Sequence, residues 1–218
     1  MPAIVFSSSD PEFGQAHADQ CVRIVEGLRR INARALRLGG SLEALTAAAE
    51  RVEALLASLD EVTAGSAIDT YRGAFDVDDP NNVLPFNPAT GVLNPIAPKL
   101  EMAIDGRTLV THCEFSRHHA GGPDTAHGGM IAAVYDQLLA YATMIEGKTG
   151  PTLWLKVTYL KPTPVNERLR FETTVTAVDG RKYAVAGGCY RGDVKLSEAE
   201  GLMLGAYDIP GTRGFTVE

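Results

Sequence analysis

Four residues within one short stretch have the types and spacing to do chemistry: His127, Gly128, Gly129 and Asp136. From Thr125 to Ile145 the chain is apolar except for a single formal charge, Asp136. A run that is apolar nearly all round reads as a helix buried on every side. A carboxylate inside such a helix is costly unless it is paired, hydrogen-bonded or protonated. It is therefore a candidate for function, with a bond to a neighbouring strand, made only for packing, as the plain alternative. His127-Gly128-Gly129 opens the same helix. Two glycines stand where Ser or Asp would cap better. They leave backbone N–H groups uncovered at the positive end of the helix dipole, where a developing oxyanion can be held. One such donor is worth about 10²–10³ in rate. A close backbone crossing would also call for Gly-Gly, and His127 could be a base, a hydrogen-bond donor to substrate or a cap.

The spacing adds a constraint. Asp136 follows His127 by nine residues, roughly 13 Å along a helix. One chain cannot bring both ends to a single carbonyl. If both groups act on it, a symmetric dimer supplies Asp136 from one subunit and the oxyanion donor from the other.

The elements that position these groups follow from periodicity. Leu100, Met102 and Ile104 alternate, Asp105-Gly106 is a hairpin turn, and Leu109 to Phe115 continues as a second strand. A helix is expected from about His127 to Glu146. Alternating residues then mark strands through Leu153–Tyr159, Leu169–Val175, Tyr183–Arg191 and Lys195–Tyr207, with Asp179-Gly180 as a turn. Hairpin-linked strands imply an antiparallel sheet with the helix on one face, an α+β domain. Before it, Cys21, Ile24, Leu28, Ile31, Ala35 and Leu38 recur at three- and four-residue steps. Leu42, Leu45, Ala49, Val52, Leu56 and Leu59 repeat that spacing after Gly39-Gly40 and a capping Ser41. These read as a helical hairpin, either a lid or dimer-forming arm or simply packed on the next domain. Expected divisions are a hairpin over 1–60, a Pro/Asn-rich connector over 61–98, a domain over 99–208 and a tail over 209–218.

Composition narrows the classes. The 218 residues carry a net charge of −7, which argues against a nucleic-acid binder. No run of 18 apolar residues occurs, so no membrane span is expected. The N-terminus has no basic region before its short apolar stretch, which argues against a signal peptide. Cys21, Cys113 and Cys189 form no CxxC and read as reduced thiols of a cytoplasmic protein. No G-x-S-x-G, G-x-G-x-x-G or Walker A loop is present. Neither the acidic run Asp76–Asp79, lacking the later Gly and distal Glu of a calcium loop, nor His112, His118, His119 and Asp124 has the spacing of a metal site. No metal and no cofactor are expected. Arg191-Gly192-Asp193 reads as a hairpin turn.

Ala126-His127-Gly128-Gly129-Met130-Ile131 followed by Asp136 resembles the helix signature of hotdog-fold acyl-CoA thioesterases of the PaaI-like group. Val157-Thr158-Tyr159-Leu160-Lys161-Pro162-Thr163-Pro164, Gly180-Arg181-Lys182 and Ser197-Glu198-Ala199-Glu200-Gly201 resemble its later strands, in order, over about residues 92–208. The resemblance implies a hotdog fold, an antiparallel sheet wrapped around one long helix. It implies hydrolysis of acyl-CoA by a homodimer or dimer of dimers with sites at subunit interfaces. Asp136 would be general base or nucleophile, and the Gly128 N–H would bind the thioester oxygen. Thr152 matches a hydroxyl that holds water or the carboxylate. His127 joins the catalytic set, and Gly129, Thr158, Lys161, Arg181 and Lys182 the substrate-binding set, the last three near the CoA phosphates. Many members carry Asn six residues before the motif histidine, where this chain has Gly121. On the same fold a non-catalytic acyl-CoA sensor and a 3-hydroxyacyl thioester dehydratase are the alternatives.

The overall acidity hides a basic stretch. Residues 152–182 carry Lys156, Lys161, Arg168, Arg170, Arg181 and Lys182 against Glu167, Glu172 and Asp179, a local +3. Such a segment suits a phosphate-bearing ligand, although Arg168 and Arg170 also fit solvated strand faces.

Overall fold

A computed structural model describes residues 15–62 and 80–209. The N-terminal stretch, the acidic run Asp76–Asp79 and nearly all of the tail over 209–218 lie outside those residues. In chain order the elements begin with α1 (Gln15–Ala35) and α2 (Leu42–Asp60). They continue with β1 (Lys99–Asp105), β2 (Thr108–Glu114), the short β3 (Ala120–Gly122) and β4 (Thr125–Ala126), then α3 (Gly128–Ile145). Last come β5 (Lys148–Thr149), β6 (Thr152–Tyr159), β7 (Arg168–Asp179), β8 (Lys182–Arg191), β9 (Val194–Leu204) and β10 (Tyr207–Asp208).

Six of these strands form one antiparallel sheet in the order β1-β2-β7-β8-β9-β6, which is the hotdog arrangement with α3 against one face. Three of the hairpins turn through glycines with φ of +60 at Gly106, +56 at Gly180 and +58 at Gly192, a region that side chains with a Cβ avoid. Alternation puts Leu109 and Cys113 of β2, Leu169 and Phe171 of β7, Val185 and Cys189 of β8 and Ala199 and Met203 of β9 into the core. From α3 come Val134, Tyr135, Leu138, Leu139 and Ala142, all fully buried. Each large side chain so buried stabilises the fold by about 1.5–3 kcal/mol.

Within one chain α3 is not buried on every side, although its composition predicts that it is. Ala132, Ala133, Asp136, Gln137 and Ala140 are only half-buried, and Gly129 is exposed. The apolar run exceeds what its own sheet covers. At the other end Glu146, the C-cap, is buried and accepts from Arg107 Nε at 2.7 Å.

α1 buries a face beside the predicted stripe and shares with it only the partly buried Cys21 and Leu28. Ala18 and Val22 pack with Leu93, Phe86 and Val92. Arg29 donates to the carbonyls of Gly91 and Asn94 at 3.1 and 2.9 Å. Ile24 and Ile31 of that stripe stay exposed. α2 starts on Ser41, whose Oγ accepts from the Ala44 N–H at 3.2 Å as the capping pattern predicts, yet none of its residues is buried.

The segment from Pro80 is tied down by side-chain bonds. Asn81 exchanges two hydrogen bonds with the Met102 backbone, at 2.8 and 3.0 Å. Asn87 Nδ2 donates to Gln137 Oε1 at 2.7 Å, and Thr90 Oγ1 meets Tyr141 Oη at 3.0 Å. No helix among the described residues is long and apolar enough to cross a membrane.

Candidate functional site

α3 begins on His127, which is its N-cap: Nδ1 accepts the Gly129 N–H at 2.9 Å. That bond leaves the ring proton on Nε2. The Met130 and Ile131 N–H groups both reach the His127 carbonyl, at 2.9 and 3.2 Å. Of the two donors the glycine pair promises, one is thus occupied. The Gly128 N–H donates to no acceptor among the described residues. His127 is itself held by its N–H, which donates to the His119 carbonyl at 2.8 Å.

Gly121 lies against His127. A Cβ there would come within 2.8 Å of His127 Cα and 2.9 Å of Cδ2, so no side chain fits while His127 keeps its place. Asn at this position and this placement of His127 exclude one another.

Tyr159, at the end of β6, donates from Oη to the Gly128 carbonyl at 2.7 Å. A Cβ on Gly128 would stand 3.2 Å from the same Oη. Sequence reasoning missed this residue, because an aromatic in an alternating strand reads as core. The contact arises only because β6 ends beside the start of α3.

Asp136 lies two turns further along. Thr152 Oγ1, at the start of β6, donates to Asp136 Oδ1 at 2.8 Å. The spacing of sixteen residues therefore does bring the hydroxyl to the carboxylate. Oδ2 takes no hydrogen bond among the described residues, and the carboxylate is half-buried. A hydrogen bond from a hydroxyl orients an ionised carboxylate and leaves its second oxygen free to accept a proton.

The strand register sorts the remaining candidates into two groups. Thr152 is opposite Met203, which is opposite Tyr183, so Asp136 and Thr152 share an end of the sheet with Arg181 and Lys182. Tyr159 is opposite Ser197, which is opposite Cys189, and the Leu160 and Lys161 N–H groups both bond the Leu196 carbonyl at 2.9 Å. His127, Gly128, Tyr159 and Lys161 share that other end. From Lys182 to Cys189 is seven residues of β8, about 24 Å. One chain does not bring Lys161 together with Arg181 and Lys182. Lys161 borders a groove of about 420 Å³ that also touches Thr125 and Arg191, beside the start of α3. Thr158, one residue before Tyr159, points to the opposite face of β6.

Several other groups have structural occupations. Arg168 pairs with Glu101 at 2.8 Å, Arg170 with Glu172 at 2.7 Å and Lys156 with Glu200 at 3.6 Å, all on solvated strand faces. Such pairs contribute about 0–1 kcal/mol each. Burial holds the Cys113 thiol well above its ordinary pKa and pushes Cys189 up to about 12, so neither is a ready thiolate. The His118 and His119 rings lie 4.0 Å apart between centroids at a tilt of 48°, and Asp124 pairs with Arg117 at 2.9 Å. Among the described residues no three His, Cys, Asp or Glu side chains converge as metal ligands.

Residues 124–197, which include His127, Gly128, Asp136, Thr152 and Lys161, match the thioesterase superfamily. No curated protein matches the chain. Among solved structures, a thioesterase superfamily protein is 26% identical, with 84% of this chain and 90% of that one covered and a TM-score of 0.73. The PaaI protein of the E. coli phenylacetic acid degradation operon is 14% identical over 50% of this chain and 81% of its own, with a TM-score of 0.47.

Proposed function

We propose that this hotdog chain, matched over residues 124–197 by the thioesterase superfamily, hydrolyses acyl-CoA thioesters at sites shared between two subunits. The observation that carries the reading is the Asp136 carboxylate, oriented by Thr152 at 2.8 Å with its second oxygen open. The sheet register supports the sharing. Asp136, Thr152, Arg181 and Lys182 lie toward one end of β6, and His127, Gly128, Tyr159 and Lys161 toward the other, as two complementary halves would. β6 is an edge strand. A two-fold axis beside it reverses the strand and sets each half against the complementary half of the second subunit. The same edge exposes Leu153, Trp154, Tyr159 and Leu160, with Trp154 48% exposed, a concentration of apolar surface suited to association.

The chemistry follows from the two halves. The thioester carbonyl oxygen accepts from the Gly128 N–H of one subunit. Asp136 of the other takes a proton from a water as that water attacks the carbonyl carbon, and a tetrahedral oxyanion forms. Collapse breaks the C–S bond, and the departing thiolate recovers the proton from Asp136, giving free acid and CoA. Direct attack by the carboxylate gives an acyl anhydride that water then opens, with the same products. The basic residues Lys161, Arg181 and Lys182 converge across the interface on the CoA phosphates, where the whole-chain charge would otherwise repel them.

Thiol release from a panel of acyl-CoA esters tests the assignment. Asp136→Asn should lower kcat by about 10²–10⁴, the range of a positioned base. Equal rates for wild type and variant would overturn it. Binding of the esters without thiol release would indicate a sensor, and formation of an enoyl ester a dehydratase.

A further inference from the structure

α1 and α2 each present an apolar seam that the described chain leaves largely uncovered: only Cys21, which touches Ala18, Val22 and Leu93, and the half-buried Leu28 meet other residues on α1, and nothing on α2 is buried. Cys21, Ile24, Leu28, Ile31 and Ala35 step by three and four in turn, and so do Leu42, Leu45, Ala49, Val52 and Leu56. A strict 3.5-residue period is the seam of a coiled coil rather than the broader stripe of a helix packed on a core. α1 meets its own domain through a neighbouring face, Ala18, Val22 and Arg29, and leaves Ile24 42% exposed. On α2, Leu42 is 82% and Leu56 56% exposed.

The charges flanking the seams say how they pair. On α1, Arg23, Arg30 and Arg34, with Arg37 just beyond, line one side of the seam, the c and g side, and all four are exposed. The other side of that seam faces the segment from Phe86 to Asn94. On α2, Glu43, Glu50, Glu53 and Asp60 line the b and e side and are likewise exposed. In two parallel helices the g side of one faces the e side of the other, whereas antiparallel helices set g against g and e against e. Only the parallel arrangement puts the arginine-bearing side against the carboxylate-bearing side, with Arg34 at g facing Asp60 at e. It also sets large against small across the seam, Leu28 on Ala49 and Ala35 on Leu56, with Cys21 on Leu42, Ile24 on Leu45 and Ile31 on Val52.

A single chain cannot make that arrangement. The Arg37 N–H bonds the Arg34 carbonyl at 2.8 Å, which prolongs the last turn of α1 and leaves five residue steps to Leu42. Five steps reach at most about 18 Å. Setting Leu42 beside Cys21 requires about 24 Å along the axis alone. We infer that α1 of one copy pairs in parallel with α2 of a second copy, exchanged both ways, as a coiled-coil clasp between two chains.

The native Cys21 makes the register testable, since Cys113 and Cys189 are buried. In the parallel pairing Leu42→Cys faces Cys21 of the second copy. In an antiparallel hairpin within one chain, where a positions pack against d positions, Leu59→Cys faces Cys21 instead. Each full-length variant is oxidised with copper phenanthroline and run on a non-reducing gel, with intact mass to detect an internal disulfide. The expected result is a covalent dimer for Leu42→Cys that disappears when Cys21→Ser is added, and no disulfide for Leu59→Cys. A disulfide in Leu59→Cys, internal or between chains, overturns the parallel pairing. Absence of a disulfide from both variants overturns the clasp.

Discussion

Replacing Gly128 by proline isolates one proposed interaction with little other disturbance. Gly128 is the first residue of α3, the position where proline is tolerated because its missing N–H has no helical partner. The preceding residue must be extended for proline to follow, and His127 already is, at φ −65 and ψ 134. The substitution therefore deletes the N–H assigned to the oxyanion and keeps the helix. The neighbouring N–H groups cannot stand in, because Gly129 donates to His127 Nδ1 and Met130 to the His127 carbonyl, both at 2.9 Å. Loss of one such donor lowers kcat by about 10²–10³. Gly128→Ala is the control. It keeps the N–H but places the same Cβ 3.2 Å from Tyr159 Oη, a contact that a small tilt of the phenol relieves. The assay is steady-state thiol release at saturating acyl-CoA, with melting curves to show that both variants fold and CoA binding to show that the proline ring leaves the pocket open. If the two variants differ by less than about threefold in kcat, the Gly128 N–H is not the donor. Mixing Gly128→Pro with Asp136→Asn gives a second readout. In a shared site each mixed dimer regains one complete site, so random exchange restores roughly a quarter of wild-type activity. Sites confined to one chain would gain nothing on mixing.

Three further outcomes follow from named contacts. Thr152→Val removes the hydroxyl that donates to Asp136 Oδ1 at 2.8 Å. Since a hydrogen bond to a charged group is worth about 1.5–3 kcal/mol, and less when half exposed, kcat should fall about tenfold, and an unchanged kcat would remove Thr152 from the site. Arg107→Met strands Glu146, whose side chain is 3% exposed against 40% for Arg107. With the arginine partly in water the loss is about 2 kcal/mol, read as a drop in Tm of about 4–8 °C. Adding Glu146→Gln should recover most of it, and no recovery would show that the carboxylate is not the cause. Burial first, then the nearby His119 and Arg29, lowers the pKa of His118 to about 4, and burial lowers that of His119. Unfolded histidine titrates near 6.5, so the unfolded chain binds more protons between the two values. The stability tied to the neutral rings is complete above about 6.5 and declines as pH falls towards 4. Urea midpoints at pH 7 and pH 5 measure the decline, which His118→Gln should lessen. A midpoint that does not move would refute it.

The candidate site on α3 was legible in the sequence because it broke a rule: one charge in an apolar helix, two glycines where a cap belongs. The hairpin strands were legible from alternation and from Asp-Gly turns. Tyr159 was not, since its bond to the Gly128 carbonyl joins residues 31 apart, and nothing local distinguishes it from a core aromatic. The face that α1 buries was missed because its apolar sector is wider than one partner covers, so periodicity alone could not say which part meets the segment around Leu93. Nor could the basic cluster of residues 152–182 be sorted by counting. Strand length sends Lys161 to one end of the sheet and Arg181 and Lys182 to the other.

The position of β6 has a consequence for how the chain assembles its candidate site during synthesis. β6 precedes β7 in sequence but lies beyond β9, and among the described residues its only partner in the sheet is β9. β7, β8 and β9 can zip up as successive local hairpins while β6 waits, so Thr152 becomes fixed relative to Asp136 only when Val194–Leu204 is made. Until then the apolar Leu153 and Trp154 have no strand beside them, and a nascent or nicked chain ending before Val194 exposes an unpaired sticky strand. A chain stopped there should be caught by chaperones or aggregate, whereas one stopped just past β9 already holds Thr152 against Asp136.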